Sequence, residues 1–133
     1  MRYATALAGD PAAIYRQIHL AGRTGGADSH GLVGLLYEEG ISALRSAAWA
    51  AEQGKSAIKS ERIARATAVL FALEAGLDFD RGGDVSRALA AFYHGLRQQV
   101  VQASLGSDPA PFRDAAASLE EIAGAWSSVR AAS

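Results

Sequence analysis

The residues best suited to metal chemistry lie in one acidic stretch, GLDFDRGGD, at residues 76–84. A calcium loop of the EF-hand type needs oxygen ligands at positions 1, 3 and 5, a glycine at position 6 and a bidentate glutamate at position 12. Counted from Asp78, positions 1 and 3 are aspartates and position 6 is Gly83. Position 5, however, is Gly82, and position 12 is the apolar residue Leu89. The stretch therefore predicts no metal site and no cofactor.

The same residues are better explained as a turn between two helices. Gly76 loosens the end of the first helix, while Gly82 and Gly83 tolerate backbone angles that other residues avoid. Asp84 is a good N-cap for the next helix, because its carboxylate accepts hydrogen bonds from backbone N–H groups that have no helical partner. We expect Phe79, the aromatic residue of this turn, to pack against the end of the helical bundle.

The three histidines do not form a recognisable metal or catalytic site. No two of His19, His30 and His94 lie three or four residues apart, and none neighbours a carboxylate at ligand spacing. His30 is predicted to lie in the first turn of a helix, and His94 on a surface or boundary.

Adjacent carboxylates occur twice, at Glu38–Glu39 and at Glu120–Glu121. Neighbouring residues on an α-helix point about 100° apart, so neither pair converges on one substrate. The sequence contains no phosphate-binding glycine loop, dinucleotide fingerprint or nucleophile elbow. We therefore predict solvent-facing carboxylates in a protein that is not an enzyme.

The composition indicates one helical domain in the cytoplasm. The chain has 133 residues, half of them hydrophobic, which is enough for a single buried core. Thirteen Lys and Arg nearly balance fourteen Asp and Glu, whereas nucleic-acid-binding proteins and polybasic membrane patches carry a basic excess. Cysteine is absent, and neither a signal-peptide core nor a membrane-spanning apolar run occurs. We expect no nucleic-acid partner and no membrane insertion.

Capping residues and apolar periodicity predict five helices in an all-α fold. A short helix begins at Asp10 and Pro11 and ends near Gly22, before a glycine-rich loop. Four longer helices are predicted at about 29–53, 58–77, 84–105 and 110–131. Because the connections are short, sequential helices should be antiparallel. We predict a flexible N-terminal segment with a short helix at residues 1–28, and an antiparallel up-down four-helix bundle at residues 29–133.

Apolar stripes with intervals of three and four residues predict the core of this bundle. Their members are Leu32, Leu36, Ala43 and Ala47; Ile63, Ala66, Leu70, Leu73 and Leu77; Val85, Leu89, Phe92, Leu96, Val100 and Ala103; and Phe112, Ala115, Leu119, Ile122, Trp126 and Val129. The first long helix also contains Gly31, Gly34 and Gly40, each of which costs roughly 1 kcal/mol relative to alanine. We expect a neighbouring helix to approach closely at these glycines.

The aromatic residues leave two interpretations open. Tyr37 and Tyr93 border apolar stripes, where a ring packs while its hydroxyl reaches water. Trp126 is predicted to be core, and Trp49 a boundary residue or an exposed contact. These side chains either pack within the bundle or line a groove for an apolar partner helix.

Four segments, in order, resemble the flagellar export chaperone FliS family. They are LLYEEGISAL, LEAGLDFDRGGDVSRALAAFYHGL, VVQASLGSDPAPF and LEEIAGAWSSV, and with the helix start at Ser29 their order and intervals agree with the family along residues 29–129. The chain departs from the family pattern at His30, where proline is usual, and at Ser104, where asparagine is usual. Each motif alone is a common helix fragment, so the resemblance depends on all four motifs occurring in this order and at these intervals.

The resemblance implies a cytoplasmic chaperone that binds the disordered C-terminal segment of flagellin. Such a protein prevents premature polymerisation and delivers its client to the type III flagellar export apparatus, with an export-gate component as a further partner. Ile14 and Tyr15 would cover part of the binding surface when no client is present. The groove would be formed by Leu73, Leu77, Val85, Leu89, Tyr93 and Leu96.

A second hypothesis remains beside this one. The chain could be a structural or regulatory helical bundle that self-associates through its apolar seams and has no flagellin client. The chaperone hypothesis predicts a monomer or weak dimer, whereas the alternative predicts a stable dimer without client preference.

Overall fold

The computed structural model of this protein describes residues 29–132, with side chains from residue 30 to residue 128. This range forms no strand and contains four α-helices: α1 Ser29–Glu52, α2 Ser56–Ala75, α3 Phe79–Ala103 and α4 Ala110–Ala132. The predicted all-α class is confirmed for these residues. The predicted N-terminal helix, with Ile14 and Tyr15, lies outside them. None of the four helices is both long enough and apolar enough to cross a membrane.

Each helix packs against two neighbours. α1 contacts α2 and α4, while α3 contacts α2 and, less extensively, α4. Ion pairs cross these contacts. Arg65 on α2 bonds Glu39 on α1 with a nitrogen–oxygen distance of 2.7 Å, and Arg113 on α4 bonds Glu52 on α1 at 2.6 Å. The arrangement is consistent with a four-helix bundle, whose short connections are residues 53–55, 76–78 and 104–109.

The core contains side chains from every predicted stripe, together with residues outside them such as Tyr37, Val69 and Tyr93. Its buried members include Leu36, Ala43 and Ala47 in α1; Ala66, Leu70 and Leu73 in α2; Leu96 and Val100 in α3; and Phe112, Ala115 and Leu119 in α4. Val85 was also expected on a core stripe, but its side chain is 67 % exposed. The prediction fails there because Val85 lies at the edge of an open cleft, where no described helix covers it.

Close helix packing explains one of the glycines of α1 and not another. A Cβ atom at Gly40 would lie 3.0 Å from Leu119 Cδ2 and 3.1 Å from Val69 Cγ1, so the predicted close approach is confirmed there. At Gly34 the same prediction is wrong, because a Cβ atom would meet nothing within 4 Å.

α3 begins five residues before its predicted start. Asp78, and not Asp84, is the N-cap, since its Oδ1 accepts a hydrogen bond from the Arg81 backbone nitrogen at 3.0 Å. Asp84 instead forms an ion pair with Arg87. Gly83 adopts φ 50° and ψ −122°, outside the helical region, so α3 consists of two helical pieces joined by a kink, and the second piece begins at Asp84, the predicted start.

The early start of α3 also changes the surroundings of Phe79. As the first residue of α3, Phe79 is 47 % exposed. The prediction that it packs against the bundle end is therefore wrong, since nearly half of its surface faces solvent.

Candidate functional site

A cleft of about 440 Å³ opens at the end of the bundle where α2 connects to α3. All four helices contribute to its walls. The lining includes His30 and Tyr37 from α1, Leu73 from α2, Val85, Leu89 and Tyr93 from α3, and Trp126 from α4, with Leu77 from the connection. Because aliphatic and aromatic groups dominate this set, the cleft suits an apolar ligand surface.

The predicted groove residues, with one exception, meet in this cleft. Leu73, Leu77, Val85, Leu89 and Tyr93 line it, whereas Leu96 is buried in the core outside it. Their exposure differs with depth. Leu73 and Tyr93 are buried and form the floor, Leu77 and Leu89 are half-buried, and Val85 stands at the rim. The accessible apolar surface is therefore supplied by Leu77, Val85 and Leu89.

Tyr37 and Tyr93 meet beneath the cleft. Their hydroxyl oxygens lie 2.6 Å apart and hydrogen-bond to each other, and both side chains are buried. Burial raises the pKa of the Tyr37 hydroxyl, while the hydrogen bond with Tyr93 acts in the opposite direction. The prediction that these hydroxyls reach water is wrong, because each ring points into the core and the two polar groups satisfy one another there.

His30 and Trp126 form one side wall of the cleft. Their rings stack with centroids 4.1 Å apart and an angle of 16° between planes. Trp126 Nε1 donates to the His30 carbonyl oxygen at 3.0 Å, and His30 Nε2 lies 3.2 Å from the Trp126 carbonyl oxygen. These contacts join the first turn of α1 to α4. Trp126 is thus half-buried: it packs against the core, as its position on the apolar seam predicts, and it also forms a wall of the cleft.

The stretch GLDFDRGGD forms the rim of the cleft next to α2. Ser86 Oγ donates to the Asp78 carbonyl oxygen at 2.9 Å, which holds the start of α3 against the connection. A Cβ atom at Gly82 would lie only 1.8 Å from Ser86 Oγ, so a larger residue there would displace this hydrogen bond. The acidic stretch therefore positions Val85 at the rim.

In each of the two predicted carboxylate pairs, one member takes part in an ion pair with another helix. Glu39 binds Arg65 on α2, while Glu120 on α4 binds Arg45 on α1. Within the described residues, no three side chains of His, Cys, Asp or Glu are grouped as a metal site would require. Trp49, on α1, is 48 % exposed and lies beside Arg45 on another face of the bundle.

Comparison with known families decides the class of this protein. A family model described as flagellar protein FliS matches residues 11–133, which is most of the chain. The chain belongs to the FliS family. The matched range includes Ile14 and Tyr15 as well as every residue of the cleft.

Individual relatives agree with the family assignment. The chain is 29 % identical over 116 residues to the flagellar secretion chaperone FliS of Salmonella typhimurium, with 86 % of each chain covered. It is 27 % identical over 115 residues to that of Vibrio cholerae, covering 86 % of this chain and 85 % of the relative. The flagellar secretion chaperone FliSB of Pseudomonas aeruginosa is 26 % identical over 115 residues, covering 86 % of this chain and 91 % of the relative.

Membership of the FliS family supports a role in flagellar export as a chaperone. FliS proteins are chaperones and not enzymes, so the prediction that this chain has no catalytic function is confirmed.

Proposed function

We propose that this FliS-family chain is a cytoplasmic chaperone for the disordered C-terminal segment of flagellin. It binds the segment, prevents premature polymerisation, and delivers the client to the type III flagellar export apparatus, where an export-gate component is a further partner. The observation that carries this function is the apolar cleft formed by Leu77, Val85 and Leu89, in a chain that belongs to a chaperone family.

The cleft suits an amphipathic segment that becomes ordered on binding. Leu77, Val85 and Leu89 offer aliphatic surface at the rim and walls, above a floor that the Tyr37–Tyr93 hydrogen bond holds in place. Burial of an aliphatic side chain contributes about 1.5–3 kcal/mol when it is complete. Ordering a flexible segment offsets much of this gain, so affinity should depend on a few anchor residues.

The proposed mechanism uses two further features. Contacts between α1 and α4 run from Glu52 with Arg113 to His30 with Trp126, which favours the antiparallel up-down course and brings the first turn of α1 to the cleft. Residues 1–28 precede that turn directly, so Ile14 and Tyr15 are near enough in sequence to cover the cleft when no client is bound. The chain would act as a monomer or weak dimer.

Titration calorimetry with a synthetic peptide tests the proposed client. The peptide is the C-terminal segment of the flagellin encoded in the same genome, and circular dichroism verifies that the chaperone is folded. We expect saturable binding of one peptide per chain. If the folded protein does not bind the peptide at peptide concentrations of tens of micromolar, the proposed function is refuted.

Exposed apolar residues elsewhere favour one second candidate, the self-associating bundle without a client. Val101 and Leu105 are four residues apart and 51 % and 88 % exposed, and a second copy of the chain could cover them. Sedimentation separates the candidates. The chaperone should sediment as a monomer or weak dimer and bind the peptide, whereas the alternative requires a stable dimer that ignores it.

A further inference from the structure

Gly34 lies in α1 without the close neighbour that its sequence position predicts. A Cβ atom built at this glycine meets no atom of the described chain within 4 Å. Glycine inside a helix is nevertheless less favourable than alanine, because it loses more conformational entropy on folding. The packing of α1 against the other helices therefore does not explain why glycine occurs here.

Gly34 borders a cavity of about 350 Å³ at the seam between α1 and α4, which we call the Gly34 cavity. Its walls include Leu35 from α1 and Ala123 and Trp126 from α4. With these apolar walls and no side chain at residue 34, the cavity has room and the right chemistry for an apolar side chain from outside the bundle.

The Gly34 cavity adjoins the cleft. His30, Tyr37 and Trp126 line both spaces, and the stacked rings of His30 and Trp126 lie between them. A polypeptide that occupies the cleft would reach the cavity by passing over this ring pair. The two spaces therefore form neighbouring positions along one surface.

Glu38 gives the cavity a charge preference. It is the acidic residue of the lining, its side chain is exposed, and it forms no ion pair with any other residue that the structure describes. Among the described residues of the lining, none is Lys or Arg. A basic residue beside the inserted side chain would therefore find an available carboxylate at the rim.

We propose that the Gly34 cavity is a second binding position for the client, which inserts an apolar side chain there and places a neighbouring Lys or Arg beside Glu38. This position presupposes the flagellin client proposed above. Gly34 keeps the cavity open, at a cost to the stability of α1.

Substitutions at Gly34 separate binding from folding. Gly34→Leu fills the cavity and should weaken binding of the flagellin peptide about tenfold or more, as expected when a buried aliphatic contact is lost. Gly34→Ala should weaken binding about two- to threefold, yet raise the melting temperature by roughly 2–6 °C. The matched control is Gly95→Ala on α3, where a Cβ atom also meets nothing within 4 Å. It should raise the melting temperature similarly and leave the affinity unchanged.

Glu38→Gln tests the charge preference in the same titration. The affinity should fall about two- to fivefold at low ionic strength, and the difference from wild type should vanish at high salt. If wild type and Glu38→Gln bind the peptide equally well at low salt, no basic residue of the client contacts Glu38.

Each outcome at Gly34 has a definite meaning. If wild type binds the peptide and a folded Gly34→Leu variant binds it equally well, the second position is refuted while the proposed function stands. If wild type does not bind, both fail. Tighter binding by Gly34→Leu would assign the cavity to residues 1–28 competing with the client, which also overturns the inference. Should Gly34→Leu not fold, Gly34→Ala carries the test.

Discussion

The hydroxyl pair beneath the cleft should stabilise the fold measurably. Tyr37→Phe deletes one hydroxyl and takes from Tyr93 a partner 2.6 Å away, at a place where both residues are at most 2 % exposed. A buried hydrogen bond contributes about 0.5–1.5 kcal/mol net, and a buried polar group that loses its partner costs about 1–3 kcal/mol. We therefore expect Tyr37→Phe and Tyr93→Phe each to lower the unfolding free energy by about 1–2 kcal/mol.

A double-mutant cycle isolates the interaction between the two hydroxyls. The double variant should lose less unfolding free energy than the two single variants together, by roughly 1 kcal/mol. The reason is that the double variant leaves no buried hydroxyl that has lost its partner. Urea denaturation followed by circular dichroism measures the four proteins of the cycle. Strict additivity, or single variants as stable as wild type, would refute the reasoning that the pair is buried and mutually bonded.

The same pair predicts a loss of stability in alkaline solution. Burial raises the pKa of Tyr37 above its ordinary value of 10.0, which approximates the value in the unfolded chain. The folded state thus holds this proton more tightly, so the stabilisation is complete below the ordinary pKa and is lost as pH rises through the folded pKa. The alkaline decrease in unfolding free energy should be smaller in Tyr37→Phe, and an equal decrease would contradict the assignment.

Three further substitutions test the cleft, the core and the N-terminal segment. Val85→Asp should weaken flagellin-peptide binding about tenfold in calorimetry and leave the melting temperature unchanged, because Val85 is 67 % exposed; unchanged affinity would argue against the cleft. Gly40→Ala should lower the unfolding free energy by about 1 kcal/mol net, since its Cβ would lie 3.0 Å from Leu119; a gain in urea resistance would contradict this. Tyr15→Ala should tighten peptide binding about two- to fivefold by removing a competing cover, and an unchanged affinity would refute that role.

Helix content and core positions were predictable because burial leaves a periodic pattern in the sequence. Leu36, Leu70 and Leu119 occur at core-facing intervals, and all three are buried. The start of α3 was not predictable in the same way. Asp78 and Asp84 are equally good caps by residue type, and the choice depends on the backbone at Gly83 and on the Ser86 hydrogen bond to the Asp78 carbonyl.

The part of the candidate site whose residues repeat every four positions along a helix was predictable. Leu73 and Leu77 share an interval of four residues, as do Val85 and Leu89, and all four line the cleft. The depth of Leu96 was not predictable, because a stripe does not reveal where the neighbouring helix stops covering it. Its side chain lies deeper in the bundle.

Contacts between distant parts of the chain gave no comparable signal. Tyr37 and Tyr93 are 56 positions apart, and His30 and Trp126 are 96 apart, so each pairing depends on how the helices are placed in three dimensions. One clue was present for His30 and Trp126. In an antiparallel bundle the start of α1 and the end of α4 share one end, which would have suggested that the two aromatic rings meet.

Methyl NMR spectra recorded during titration with the flagellin C-terminal peptide would show where on the bundle the client binds. We expect progressive shifts of the methyl groups of Leu77, Val85 and Leu89, while the methyl groups of Ile58, which lines no part of the cleft, stay unchanged. These shifts should also saturate at one peptide per chain. A folded protein whose cleft methyl groups do not shift, or whose shifts lie only on other faces, would contradict the claim that the cleft binds flagellin.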